Sequence, residues 1–368
     1  MIYPTTLLRS FLSNRLGNSA TKLELRPRIK TLGGELKNLT ASEKAAIVKV
    51  WSGLANDKID FDYWRFYKTF GIADPNLVPD NIYWSKIIRA LNPISYTRAY
   101  INKSLYPIIF KGLAQPDVLV NVIGGIPYDA VMNRLSEREI IDTLIGYADD
   151  IIIKPTRASS GGSRVSKIYI KDVTESELKE MLTRYGNDYI CQGVVRQSRS
   201  MSVFNPTSLN TFRVNTLNIN GTVSCECLMM RHGQNDSVVD NFAKGGIACG
   251  MNTSGYFNGV NFNNALRRVE ALADGTTYTV HVIDNISDVI STAIEAHQRY
   301  MPHIGHAAWD FAIGENNKPV MIEVNLMLPG ITLEQLTSGA SVFGNRTEEV
   351  IKFVQRKNVP WTEFVGGW

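Results

Sequence analysis

Residues 309–325 read WDFAIGENNKPVMIEVN, an apolar run broken once by a polar turn. Folded about Glu315-Asn316-Asn317-Lys318, with Gly314 opposite Pro319, the run predicts a β-hairpin. The period of two sends Trp309, Phe311, Ile313, Val320, Ile322 and Val324 to one side, which is core. Asp310, Ala312, Gly314, Pro319, Met321, Glu323 and Asn325 take the other. In this register Asp310 stands directly opposite Glu323, with Cβ atoms about 4.5–5.5 Å apart. Two like charges so placed repel, and Asn325 joins them on the same face. A hard divalent cation such as Mg²⁺ wants oxygens of this kind, and an amide oxygen coordinates without adding a third repelling charge. A half-buried hairpin whose polar face is simply wet carries the same pattern.

Around this hairpin lies a chain of 368 residues, 44% hydrophobic and 20% charged, long enough for two or three lobes with more than one core. The net charge of +4 is mostly local. Residues 1–40 hold Arg9, Arg15, Lys22, Arg26, Arg28, Lys30 and Lys37 against only Glu24 and Glu35, a cationic end suited to an anionic surface or to solvent. No RNA-binding aromatic signature, zinc-finger spacing or long basic helix accompanies it, which argues against nucleic acid as a partner. Cys191, Cys225, Cys227 and Cys249 are scattered in a chain too large to need disulfide staples, and no secretory signal precedes them. A reducing cytoplasm is the expected location. Cys225 and Cys227 share a strand face but lack a second ligand pair, so they read as small buried hydrophobes. No window approaches 18 uninterrupted apolar residues, so no transmembrane segment is expected, while peripheral membrane contact stays open.

Along the chain, LTASEKAAIVKVWSGL from Leu39 predicts a helix capped by Thr40 or Ser42, with Ala46, Ile47, Val50 and Trp51 recurring at helical spacing. The helical lobe continues through FDYWRFYKTF and YWSKIIRAL. QPDVLVNVIGGIPYDAV reads as a short strand ended by Gly124-Gly125 and Pro127, SEREIIDTLIGYADD as a helix, and IIIKPT and SKIYIKD as strands. The helix TESELKEMLTRYG leads to the strand DYICQGVVRQ. Strands LNTFRVNTLNIN, GTVSCECLMMRH and GIACGMNTSGYF follow, then the helix NISDVISTAIEAHQRYM and the hairpin. Without regular βαβ alternation, this order predicts α+β with an antiparallel sheet rather than a Rossmann fold.

Four further stretches carry candidate chemistry. Lys154 ends an apolar strand, and Ala158-Ser159-Ser160-Gly161-Gly162-Ser163 after it has the glycines and hydroxyls that let backbone N–H groups curl around phosphate; a plain hairpin turn needs the same glycines. In DYICQGVVRQ the strand turns polar at Gln192 and can offer backbone groups to an adenine edge. Arg213 in SLNTFRVNTL and Arg231 in LMMRHG suit either phosphate oxygens or structural ion pairs. VVDNFAKGGIACG joins Asp240, Asn241 and Lys244 to the flexible pair Gly245-Gly246.

Taken in order, KPTRASSGG, YICQGVV, SLNTFRVNTL, VVDNFAKGGIA and WDFAI…PVMIEVN resemble the parts of the ATP-grasp superfamily, and most closely the sugar-transfer-associated ATP-grasp family found with bacterial surface-polysaccharide and capsule genes. The resemblance runs from about Leu39 to Asn345. It implies an ATP-grasp fold: a basic N-terminal segment (1–38), a helical lobe (39–104), a small α+β lid (105–195), an antiparallel-sheet core lobe (196–345) and a C-terminal tail (346–368). It further implies that Lys103 and Lys154 contact ATP phosphates under a flap of Ser160, Gly161, Gly162 and Ser163. Gln192, Gly193, Val194 and Val195 then form the adenine linker. Arg213 faces the transferred γ-phosphoryl group or the intermediate, with Arg231 as a second catalytic candidate, and Asn241 with Gly245 and Gly246 borders the reacting centre. Asp310, Glu323 and Asn325 hold Mg²⁺. Two departures stand out: Gly193 where the family often has Glu, and Arg196-Gln197-Ser198-Arg199 where an acidic ribose partner is expected. The implied activity is an ADP-forming carboxylate–amine ligase working through an acyl phosphate, which joins an amino acid or amine to a sugar carboxylate. The alternatives are a phosphotransferase on a hydroxyl and a non-catalytic nucleotide-binding protein of the polysaccharide machinery.

Overall fold

Three apolar clusters organise the chain, one under each lobe and one beneath the main sheet. The computed structural model describes residues 15, 25–55, 59–156, 164–235, 237, 240–327 and 329–359. Helix α1 (Ala41–Trp51) starts where expected: the Thr40 hydroxyl accepts from the Glu43 N–H while Glu43 answers the Thr40 N–H, so two first-turn donors are met at once. Its Ile47 and Trp51 pack with Trp64, Phe66 and Tyr67 of α2 (Asp62–Thr69) and with Tyr83, Ile87 and Ile88. The last three lie on a helical run, Asp80–Ile82, Tyr83–Ile87 and Ile88–Leu91, whose middle stretch is a π-helix.

A five-stranded antiparallel sheet follows, built from β1 (Val118–Ile123), β2 (Ile126–Tyr128), β3 (Ile151–Pro155), β4 (Ser166–Ile168) and β5 (Tyr189–Gly193) in the order β2-β1-β5-β3-β4. The short strand expected to end at Gly124-Gly125 does so as β1, and β2, which the sequence reading did not mark, returns beside it as a hairpin. Gly124 and Gly125 make the turn at φ of 58° and 81°, and Pro127 lies on the edge strand, where a missing N–H is tolerated. The strand expected over SKIYIKD is cut to three residues, after which Ile170–Asp172 winds into a 3₁₀ turn. Helices α3 (Glu137–Ile145) and α4 (Glu175–Tyr185), each opened by a capping box, bury Ile141, Leu144, Leu178 and Leu182 against Val120, Val122, Ile151 and Ile153.

The main sheet is antiparallel and six-stranded: β6 (Thr211–Ile219), β7 (Thr222–His232), β8 (Ile247–Met251), β9 (Phe257–Phe262), β10 (His306–Ile313) and β11 (Pro319–Asn325), in the order β11-β10-β6-β7-β8-β9. Every residue of β6 and β10 is buried, because both faces of the sheet are covered. Phe212, Val214, Trp309 and Phe311 meet α5 (Ile286–Tyr300) on one face. On the other, Leu217 and Ile219 join the helical lobe. Helix α6 (Thr332–Ser338) runs over β7 and β8, and α7 (Thr347–Arg356) buries Val350, Ile351 and Val354 in the helical lobe's core. Residues 347–356 are therefore core helix rather than tail, since Val350 and Val354 recur four apart on its buried side. Among the described residues no helix is long and apolar enough to cross a membrane.

Candidate active site

The hairpin forms with Asp310 opposite Glu323, Trp309 opposite Val324 and Ala308 opposite Asn325. Its far half differs from the simple register. A bulge after Asp310 sets Phe311 opposite Met321 and Ile313 opposite Pro319. One extra residue flips the alternation beyond it. Met321, expected on the polar face, is buried in the core with Trp309, while Ile322, expected in the core, faces a cavity. The turn closes with Asn317 at φ 60° and its N–H on the Gly314 carbonyl at 2.8 Å.

That cavity, of about 590 Å³, opens between the two sheets. From the lid come Ile152, Lys154, Lys167 and the run Gln192–Val195; β4, β3 and β5 pair so that Lys167, Ile152 and Gln192 form one row across the sheet. Gln192 Oε1 is buried there with no hydrogen-bond partner among the described residues. Lys103 reaches in from a 3₁₀ turn fixed by the Asn102 side chain, with its own N–H on the Thr156 carbonyl at 3.0 Å. From the main sheet come Thr211, Arg213, Arg231, Asp310, Ile322, Glu323 and Asn325, and from the segments beyond its strands Ser208, Asp240, Asn241 and Gly330.

The charges at the main sheet interlock. Arg213 forks onto Asp310, Nε to Oδ1 at 2.6 Å and Nη2 to Oδ2 at 3.2 Å, and its Nη1 meets Glu334 at 3.2 Å. Arg231 Nη2 adds a contact of 3.1 Å to Asp310 Oδ2. Arg213 therefore sits between two carboxylates, where the family resemblance implies that it faces a phosphoryl group. Its guanidinium is held charged, because Asp310 and Glu334 outweigh the burial that disfavours it. Glu334, on α6, is a buried acid that no sequence motif singled out, since TLEQLTS lacks a clean polar face. Burial pushes its carboxyl up against the pull of Arg213.

At the lid, Lys103 Nζ meets Glu323 Oε2 at 3.0 Å. Burial alone would raise the Glu323 carboxyl, but Lys103, then Lys154 and Arg213, outweigh it and hold it well below the ordinary carboxylate range. Burial, reinforced by the neighbouring Lys103 charge, pushes the Lys154 ammonium down to about 8. Asn325 Nδ2 lies 3.3 Å from Asp310 Oδ2 and 3.2 Å from Glu323 Oε1, so two carboxylates gather around one amide that can turn its oxygen to the same point. This donor set is all oxygen and suits a hard divalent cation.

Of the residues singled out in the sequence, Lys103, Lys154, Gln192–Val195, Arg213, Arg231, Asn241, Asp310, Glu323 and Asn325 share the cavity. Ser160, Gly161, Gly162 and Ser163 lie outside the described residues. Gly245 and Gly246 are not in the lining. They shape the turn behind Asn241, where a side chain on Gly246 would run into the Asp240 and Asn241 backbone. Gly193 has a similar reason: a Cβ there would meet the Tyr147 hydroxyl. Its N–H and that of Val194 are already bonded to the Asp117 and Asp150 carbonyls, at 2.8 and 3.1 Å. Lys167, Thr211 and Asp240 also line the cavity, the last two from within the marked stretches SLNTFRVNTL and VVDNFAKGGIACG.

The model of a family described as sugar-transfer associated ATP-grasp matches residues 85–352. No curated protein sequence matches the chain. Among solved structures, the ATP-grasp ligase PsnB complexed with minimal precursor is 14% identical, with 72% of this chain and 64% of that one covered, at a TM-score of 0.40. The D-cycloserine synthetase DcsG is 14% identical over 72% of each chain, at a TM-score of 0.40. A biotin carboxylase from Campylobacter jejuni in complex with β-γ-ATP is 14% identical, with 72% of this chain and 48% of that one covered, at a TM-score of 0.43. The chain thus spans less than two thirds of PsnB and about half of the biotin carboxylase.

Proposed function

We propose, from the premise that this chain belongs to the sugar-transfer-associated ATP-grasp family, that it is an ATP-dependent, ADP-forming ligase that joins a sugar carboxylate to an amine in the cytoplasm. The observation that carries this reading is the polarity of the cavity: lysines at the lid end, and the Asp310, Glu323 and Asn325 oxygens at the sheet end. Lys103, Lys154 and Lys167 bind the triphosphate, while Ile152, Val194 and Ile322 flank the base and Gln192 offers its unpartnered oxygen to an adenine amino group. Asp310, Glu323 and Asn325 would hold Mg²⁺, which when bound neutralises charge on the phosphates. Arg213, locked by Glu334, keeps Asp310 turned toward that point.

The substrate carboxylate takes the γ-phosphoryl group to give an acyl phosphate and ADP, and an amine then displaces phosphate to leave an amide. This route needs positioned charge and exclusion of water rather than a covalent nucleophile. The family's association with sugar transfer points to a sugar acid, such as a uronic acid, as carboxylate, and an amino acid fits the amine, which suggests modification of a surface polysaccharide.

The test is a product analysis of the chain with Mg-ATP, uronic acids and amino acids, by phosphorus NMR and mass spectrometry. ADP, free phosphate and an amide-mass product are expected. A phosphorylated organic product would replace the ligase by a phosphotransferase. Nucleotide binding without turnover would leave a binding protein.

A further inference from the structure

Three carboxylates line the cavity: Asp310, Glu323 and Asp240. The first two face each other across the hairpin and are met by Arg213, Arg231 and Lys103. Asp240 comes from the segment between β7 and β8, across Arg231 from Asp310. Its Oδ2 accepts the proton of the Thr211 hydroxyl. Thr211 Oγ1 in turn accepts from Arg231 Nη2 at 3.0 Å. A hydroxyl has one proton and Arg231 can only donate, so the Thr211 proton is committed to Asp240 and the carboxylate is turned to a fixed angle. Arg231 Nε, 3.6 Å from Oδ2, makes no hydrogen bond. Oδ1 receives no hydrogen bond from another described residue, and 17% of the side chain remains exposed. Burial outweighs the pull of Arg231 and Thr211 and raises the proton affinity of this carboxyl above the ordinary range.

An acid pinned at one oxygen and still exposed to the cavity is a receptor for a cation that can give up a proton. We propose that Asp240 seats the attacking amine: its other oxygen binds the ammonium of a primary amine and takes one proton from it. The proposal rests on the ligase reading and supplies the step that reading lacks, because an ammonium has no lone pair with which to attack. The proton passes to Asp240. The nitrogen lone pair forms the C–N bond as the acyl C–O bond to the phosphoryl group breaks, and the second N–H proton leaves with the phosphate. Three carboxylates against two arginines (Asp310, Glu334 and Asp240 with Arg213 and Arg231) leave this end of the cavity attractive to a cation, while the lysines keep an ammonium away from the lid.

The test compares two nucleophiles on the full chain with Mg-ATP and a panel of uronic acids. Primary amines are ammonium ions at neutral pH, whereas hydroxylamine is neutral there and traps an acyl phosphate without first losing a proton. Asp240→Asn should form amide on the order of a hundredfold more slowly, with hydroxamate formation within about twofold of wild type and part of the amide rate restored in Asp240→Glu. Equal losses with both nucleophiles would make Asp240 structural, and unchanged rates with both would remove it from the site. Either result overturns the assignment and leaves the ligase standing. Absence of hydroxamate from the wild-type chain with every acid would sink the ligase reading, and this proposal with it.

Discussion

The two ends of the cavity are built on different electrostatic terms. At the sheet end, Asp310 is clasped by two arginines and Arg213 by two carboxylates, a network whose members satisfy one another before any ligand arrives. At the lid end Lys103 leans on Glu323, while Lys154 is crowded by the Lys103 charge and buried enough that its proton is loosely held. The sheet end is pre-organised by its own ion pairs, whereas the lid end stores unfavourable positive charge that, on the proposed reading, an incoming polyphosphate relieves.

The sharpest way to break this contrast is Arg213→Met, which strands Glu334 as a buried charge and leaves Asp310 with Arg231 alone. Loss of one partner from such a network costs about 3–5 kcal/mol, so denaturant unfolding should show a large fall in stability, partly recovered in the Arg213→Met/Glu334→Gln double variant. An unchanged midpoint would mean the network contributes nothing to folding. Glu323→Gln comes next. It keeps the side chain's size but removes the charge that faces both Lys103 and the proposed cation site, so turnover should drop by about a hundredfold or more with the circular dichroism unaltered. Full activity at limiting Mg²⁺ would take Glu323 out of the mechanism.

Lys154 probes the other end by pH. Its ammonium titrates at about 8 in the folded chain against an ordinary value of 10.5. Between those two values the unfolded chain binds more protons, so the ligand-free protein gains stability as pH rises through that window. ATP affinity should move the opposite way, weakening above about pH 8 as the phosphate-binding charge is lost. Lys154→Met should be more stable than wild type at pH 7 by on the order of 1–3 kcal/mol yet bind ATP poorly, with little pH dependence of either property across the window. Calorimetry over pH 7–10 checks both signs. The smallest effect belongs to Gly193→Ala, where the new methyl meets only the movable end of Tyr147. A loss of about 1 kcal/mol, relieved by adding Tyr147→Phe, is expected in thermal melts.

Much of the site was already legible in local patterns. Asp310 against Glu323 followed from a period of two and a recognisable turn, and the capped helices at Thr40, Ser136 and Thr174 followed from hydroxyl and Glu spacing. The same rules failed at the bulge after Asp310, where one inserted residue exchanged Ile322 and Met321 between cavity and core. A bulge leaves no mark in polarity, because both residues are apolar.

Sequence patterns reached the α+β class, most of the strands and the capped helices, because strand alternation, helix caps and glycine turns are short-range consequences of backbone geometry, while Lys103 was picked out only through the family resemblance. The wiring of the charges came from contacts far apart in the chain. Arg213 meets Glu334 across 121 positions of chain, and Thr211 turns Asp240 across 29. Whether a buried charge faces a metal, a phosphate or another residue depends on distances in space, and Coulomb energy and desolvation are set there rather than by neighbours along the chain.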